Sequence, residues 1–195
     1  GFFYVREYMN KIMQLLIDNR ALSSPIMRVV NSGDVATIYA HGIIYPEAGI
    51  SAAGILEAVK NAEGASTIIF NINTPGGSVF EGREVMDIIR NIPAKTIAHI
   101  GSLCASAGTS IALACDEVEM ADGAHFMVHN ANGVAMGDKA ALRKAADLIE
   151  KIEGSIVNDY TEKTGKAENE VRALMDATTW MTAKEALSNG FIDRI

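Results

Sequence analysis

Short runs of β-forming, mostly apolar residues recur along the chain, and each is followed by a stretch with helical spacing. Val35–Ile44 (VATIYAHGII), Thr67–Ile72 (TIIFNI) and Lys95–Ile100 (KTIAHI) read as strands buried in a sheet. Between them, Ser51 is placed to cap a helix over Ala52–Ala62, with Ile55, Leu56 and Val59 on one face. Val79–Asn91 carries a second helical stripe of Val85, Met86, Ile88 and Ile89. Parallel strands need a crossover between them, so this alternation predicts an α/β fold with a parallel sheet and right-handed connections. A small-residue helix from about Ser106 to Ala114 and short strands at Glu117–Met120 and His125–Val128 continue the pattern.

The last third is different. Asp138–Lys163 is one helical stretch, with Leu142, Ala145, Leu148, Ile149, Ile152 and Ile156 at helical spacing. A helix of ~26 residues is ~39 Å long, which is long for the body of so small a domain. It predicts a projecting element that meets a partner. Beyond Gly165 a shorter helix runs to about Met175, and Ala183–Ser188 forms another.

Composition narrows the function classes. Of 195 residues 49% are hydrophobic and 21% charged, a globular balance that excludes disorder. Seventeen Lys+Arg against 24 Asp+Glu leave a net charge of −7, which argues against a nucleic-acid partner. Cys104 and Cys115 have no metal-type spacing, so a reduced, cytoplasmic setting fits better than a disulfide scaffold. Arg6, Glu7, Asn10, Lys11 and Gln14 interrupt the apolar stretch Gly1–Ile17, so neither a signal core nor a membrane span is expected. Residues 1–34 are read as an N-terminal segment, not necessarily all native, and 35–195 as one domain.

Two loops follow buried strands and could carry chemistry. Thr74-Pro75-Gly76-Gly77-Ser78 lacks the Gly-Lys-Ser/Thr of a phosphate loop. Its glycines serve a turn with positive φ, or a backbone that a substrate carbonyl can approach. Gly101-Ser102-Leu103-Cys104-Ala105-Ser106-Ala107-Gly108 leads from a strand into a helix. A serine there is ordinarily an N-cap. As a nucleophile, Ser106 would lie beside N–H groups that have no intrahelical acceptor and can hold an oxyanion. It would also need a base. His41 and His99 lie in or beside strands and read as structural. His129 leaves a strand for the loop Asn130-Ala131-Asn132-Gly133 and is the best-placed base, with His125 as the fallback.

Asn73-Thr74-Pro75-Gly76-Gly77-Ser78, Cys104-Ala105-Ser106-Ala107-Gly108 and Met127-Val128-His129, in this order, resemble the proteolytic subunit of the Clp protease. So does the ending Thr182-Ala183-Lys184-Glu185-Ala186 … Asn189-Gly190-Phe191-Ile192-Asp193. Asp176-Ala177-Thr178-Thr179-Trp180 is similar to a prophage-encoded branch, some of whose members mature phage capsids. The resemblance implies a ClpP/crotonase-like spiral of β-β-α units and a serine endopeptidase with an acyl-enzyme mechanism. It matches Ser106 to the nucleophile, His129 to the base, and the backbone N–H groups of Gly77 and Ala107 to the oxyanion hole. The stretch from Asp138 matches a handle helix through which two rings of a homo-oligomer stack. No metal or cofactor is implied. The substrate is a peptide or protein, and an ATP-driven unfoldase on another chain or phage capsid proteins are the candidate partners.

The chain departs from the family pattern at three places. The acid that orients the base aligns with Thr178, which carries no charge. Asp176 is the nearest acid and a candidate third member; the alternatives are a Ser/His dyad or an impaired site. Ser102 stands where glycine is common, and Asn130-Ala131-Asn132-Gly133 replaces a Pro-Gly-Gly-like sequence. Two other readings stay open: a crotonase-type acyl-CoA enzyme on the same fold, and a catalytically impaired ring-forming assembly protein.

Overall fold

The computed structural model describes residues 28–46 and 49–195. The apolar stretch Gly1–Ile17, and the expected N-terminal segment up to residue 27, lie outside the described residues. Seven strands form one sheet: β1 Arg28–Ser32, β2 Val35–His41, β3 Thr67–Thr74, β4 Lys95–Ala105, β5 Glu117–Met120, β6 His125–Val128 and β7 Thr179–Thr182. Six helices accompany them: α1 Ala52–Asn61, α2 Val79–Arg90, α3 Gly108–Leu113, α4 Lys139–Thr164, α5 Glu168–Asp176 and α6 Ala183–Ser188. The strand order is β1-β2-β3-β4-β6-β7, with β5 also on β4. The central pairs are parallel, and β1 and β7 close the edges antiparallel.

The expected parallel α/β layout is present, with three differences. First, β1 pairs with β2 through a turn at Gly33-Asp34, so the sheet begins before Val35. Second, only one face of the central strands is fully buried. Ala36, Ile38, Ala40, Ile68, Phe70, Ile72, Ala98 and Ile100 are buried under Ile55 of α1, Val85, Met86 and Ile89 of α2 and Ile111 of α3. Tyr39, His41, Asn71 and His99, which alternate with them, are half-buried on the other face. Third, β4 continues past Ile100 to Ala105. Its first part pairs with β5, from Ile97↔Glu117 to Ile100↔Met120, and its last part with β6, from Leu103↔His125 to Ala105↔Met127. The β3–β4 register shifts at this change of neighbour, between Ile72↔Ile100 and Thr74↔Cys104.

The 26 residues of α4 begin at the N-cap Asp138, whose carboxylate accepts the Ala141 N–H, and end at Gly165 with φ +68°. Only Val157 and Tyr160 are buried, both in the second half. In the first half Leu142 and Leu148 are 45% and 51% exposed, and Val134 and Met136 just before the helix are exposed as well. The second half is held by Arg83 of α2, whose guanidinium lies 2.6 Å from Asp159. It also packs on an aromatic cluster in which Phe191 stands 5.2 Å from Phe126 and 5.4 Å from Tyr160. Cys104 and Cys115 are free and buried, and burial pushes both thiols far up. No described helix is long and apolar enough to cross a membrane.

Phe191 is fully buried and joins β6, α4 and the chain's last helix. Phe191→Ala should cost about 3–5 kcal/mol, read as a lower denaturant midpoint at unchanged slope. A loss below about 1 kcal/mol would mean that the aromatic cluster does not hold the fold.

Candidate active site

Three parallel strands, β3, β4 and β6, end at Thr74, Ala105 and Val128, and the candidate residues lie just beyond these ends. This is where open α/β sheets place ligand sites. After Ala105 the chain turns sharply at Ser106, whose φ of +55° puts a non-glycine residue in the left-handed region. The Ser106 N–H donates to Met127 O at 3.0 Å, which ties the turn to β6. Ser106 is therefore not the N-cap. That position belongs to Ala107, and α3 starts at Gly108, later than the periodicity suggested.

Gly76 and Gly77 allow the first loop to approach. A Cβ on Gly76 (φ +94°) would stand 2.7 Å from both Ser106 Cβ and Ala105 O. A Cβ on Gly77 would stand 2.2 Å from Ile44 O. No side chain fits at either position. Ile44 N–H donates to Gly76 O and Ser78 N–H donates to Ile44 O, both at 2.8 Å. Because alternate residues of an extended chain point their polar groups to opposite sides, the Gly77 N–H faces away from Ile44. Among the described residues, neither the Gly77 nor the Ala107 N–H has an acceptor. Gly77, Ser106, Ala107 and His129 line one cavity, together with Val79, Ile156 and Tyr160.

His129 follows β6 and is half-buried. Its Nε2 lies 2.7 Å from Ser106 Oγ. Burial holds the imidazole pKa below the ordinary histidine value. With Nε2 accepting from the serine, the ring proton sits on Nδ1, and Nδ1 has no protein acceptor among the described residues. A serine hydroxyl aimed at a neutral imidazole, beside two free backbone donors, is an arrangement for attack on a carbonyl carbon.

The two residues considered for the third position fall differently. Asp176 accepts from Asn130 Nδ2 at 2.8 Å, so its carboxylate is engaged by the residue after His129 and not by the imidazole. Thr178 immediately precedes β7, whose first residue Thr179 pairs with Val128, the residue before His129. Thr178 has φ +50°, strained for a β-branched residue. The other histidines lie apart from Ser106. His41 Nε2 bonds Asn71 Oδ1 at 2.8 Å, His99 Nδ1 bonds Glu119 at 2.7 Å, and exposed His125 faces Thr182 in the β6–β7 pair. Sequence reasoning missed the Asn130–Asp176 link, which joins positions 46 apart and has no local signal.

The family model described as Clp protease matches residues 42–195. The chain is 31% identical over 132 residues to the ATP-dependent Clp protease proteolytic subunit 1 of Protochlamydia amoebophila, covering 66% of this chain and 64% of that protein. It is 30% identical over 135 residues to the corresponding subunit 1 of Leifsonia xyli subsp. xyli, covering 66% of each. It is 31% identical over 132 residues to the ATP-dependent Clp protease proteolytic subunit of Streptococcus pneumoniae, covering 66% and 67%. The match thus spans slightly less than two thirds of the first two of these relatives. With a family match over most of its length and the mixed α/β fold described above, the chain belongs to the Clp protease family.

Proposed function

We propose that this protein is a serine endopeptidase working through an acyl-enzyme, with Ser106 as nucleophile and His129 as base. The observation that carries the reading is the 2.7 Å contact between Ser106 Oγ and His129 Nε2. In the first step Ser106 Oγ attacks the peptide carbonyl and its proton passes to Nε2. The N–H groups of Gly77 and Ala107 receive the oxyanion. His129 then returns the proton to the leaving amine, and a water molecule, activated by the same imidazole, hydrolyses the ester on Ser106. The similarity to Clp protease proteolytic subunits supports a peptidase, and the stretch Asp176–Trp180 supports the prophage branch, whose capsid-maturing members make phage capsid proteins candidate substrates. An acyl-CoA enzyme of crotonase type would have no use for the Ser106–His129 contact.

The exposed leucines of α4 support self-association through its first half, in the manner of stacked rings. The relatives are named ATP-dependent, and no phosphate-binding loop occurs in this sequence. A separate ATP-driven unfoldase is a candidate partner.

Ser106→Ala should abolish labelling by a fluorophosphonate and peptide hydrolysis while the fold remains, and His129→Ala should do the same. His125→Ala should stay active. Hydrolysis retained by Ser106→Ala would remove the serine mechanism. A properly folded wild type that neither labels nor hydrolyses would favour an assembly protein instead.

The base works only when neutral. Burial lowers the His129 pKa, so the midpoint of the acid limb of kcat/KM should lie below pH 6.5, the ordinary histidine value. An acid limb centred above that value would mean that a carboxylate reaches the ring and raises its pKa.

Thr178→Asp puts a carboxylate at the position where the family acid aligns and suits the left-handed backbone better than threonine. It should raise turnover by about tenfold or more and move the acid limb upward. Asp176→Asn keeps an acceptor for Asn130 and should change turnover by less than about twofold. A large loss there would identify Asp176 as the orienting acid in the working state.

Sedimentation should show an oligomer at micromolar concentration that Leu142→Glu together with Leu148→Glu dissociates. A stable wild-type monomer would contradict the role given to α4.

A further inference from the structure

The Ser106 turn is held from both sides. Its N–H donates to Met127 O, and its carbonyl accepts twice from Thr109: from the N–H at 3.0 Å and from the hydroxyl at 2.7 Å. The Thr109 hydroxyl also lies 2.7 Å from Tyr160 Oη. A hydroxyl carries one proton, and Thr109 directs its own to the Ser106 carbonyl. Tyr160 must therefore be the donor to Thr109. Thr109 is 0% and Tyr160 3% exposed, so solvent does not compete for either group. The result is a directed relay from Tyr160 on α4, through Thr109 on α3, to the carbonyl of Ser106.

That carbonyl belongs to the same planar trans peptide as the Ala107 N–H. In a trans peptide the two bonds point in opposite directions. Fixing the Ser106 oxygen toward Thr109 therefore fixes the Ala107 N–H on the other side, where Ser106, Ala107 and His129 line the cavity. Hydrogen bonds accepted by the carbonyl also polarise the peptide and make its N–H a stronger donor. Because φ of Ser106 is +55°, the turn keeps this shape only while its surroundings hold it.

We propose that Tyr160 and Thr109 are positioning residues for the oxyanion hole, acting through the Ser106–Ala107 peptide without touching the scissile bond. This rests on the serine-peptidase reading above. A donor aimed at charge that develops during attack contributes to the transition state more than to substrate binding. Loss of the relay should therefore lower kcat and leave KM unchanged. The acid limb of the pH profile should stay in place, since His129 is not part of the relay.

The test compares fluorophosphonate labelling rates and steady-state peptide hydrolysis for wild type, Tyr160→Phe, Thr109→Val and Thr109→Ser. Tyr160→Phe and Thr109→Val should slow labelling and kcat by about tenfold at constant KM, while Thr109→Ser, which keeps the hydroxyl, stays near wild type. Tyr160→Phe removes a single oxygen and decides the matter alone if Thr109→Val fails to fold. Wild type that labels while Tyr160→Phe labels equally fast overturns this inference alone. So does a loss expressed in KM, or a Thr109→Ser as slow as Thr109→Val. Wild type that does not label overturns the peptidase reading, and this inference with it.

Discussion

The backbone contact between the Gly76 loop and the Ser106 turn is the constraint on which the site depends. The two segments leave neighbouring parallel strands, so both emerge at the same end of the sheet. They approach so closely that a methyl group on Gly76 would overlap Ser106 Cβ and Ala105 O. One free N–H comes from each side of this contact, Gly77 from the first loop and Ala107 from the second. The two free donors converge only because β3 and β4 are adjacent and because the first loop has no side chain where they meet, an arrangement that suits the proposed oxyanion hole. The same tight packing reaches the first residue of α3, where a Cβ on Gly108 would stand 2.4 Å from Thr74 Cγ2.

Electrostatically, the site relies on burial where a triad relies on charge. Partial burial keeps His129 neutral and ready to accept a proton. The same burial would oppose the imidazolium of the proposed proton transfer, and among the described residues no carboxylate contacts Nδ1 to offset this. Asp176, at the end of α5, instead holds Asn130 and with it the start of the loop beyond His129. Behind the cavity, Asp159 is half-buried next to Arg83. Burial raises the Asp159 pKa more than the guanidinium lowers it, so this pair fixes the place of α4 without being a strong source of stability.

The local patterns that made the fold legible were the apolar runs of β2, β3 and β4 and the stripes of α1, α2 and α4. Each depends on residues close in sequence. Ser106 and His129 were legible because each follows a recognisable strand within a short family-like motif. Features that depend on distant partners were not. β4 runs through Gly101 and Ser102, residues that read as loop, because β6 offers its last residues a second set of hydrogen bonds. β1 and β7 are short edge strands whose pairing with β2 and β6 supplies the order that four or five residues cannot encode alone. The positive φ of Ser106 and Thr178 has no glycine to announce it, and the Tyr160–Thr109 contact spans 51 positions.

The burial of both cysteines has a practical meaning for chemical biology. Cys104 stands two residues before Ser106, yet it is sealed in the core, and so is Cys115. The chain contains no other cysteine. A thiolate is the reactive form, and burial disfavours it strongly at both positions. Maleimides and other thiol-directed reagents should thus find neither cysteine reactive in the native fold, and sensitivity to a serine-directed reagent is cleanly separated from sensitivity to a thiol-directed one. A single cysteine engineered onto the exposed side of α4 would then be a unique handle for a fluorophore or spin label, reporting on assembly with no background to subtract.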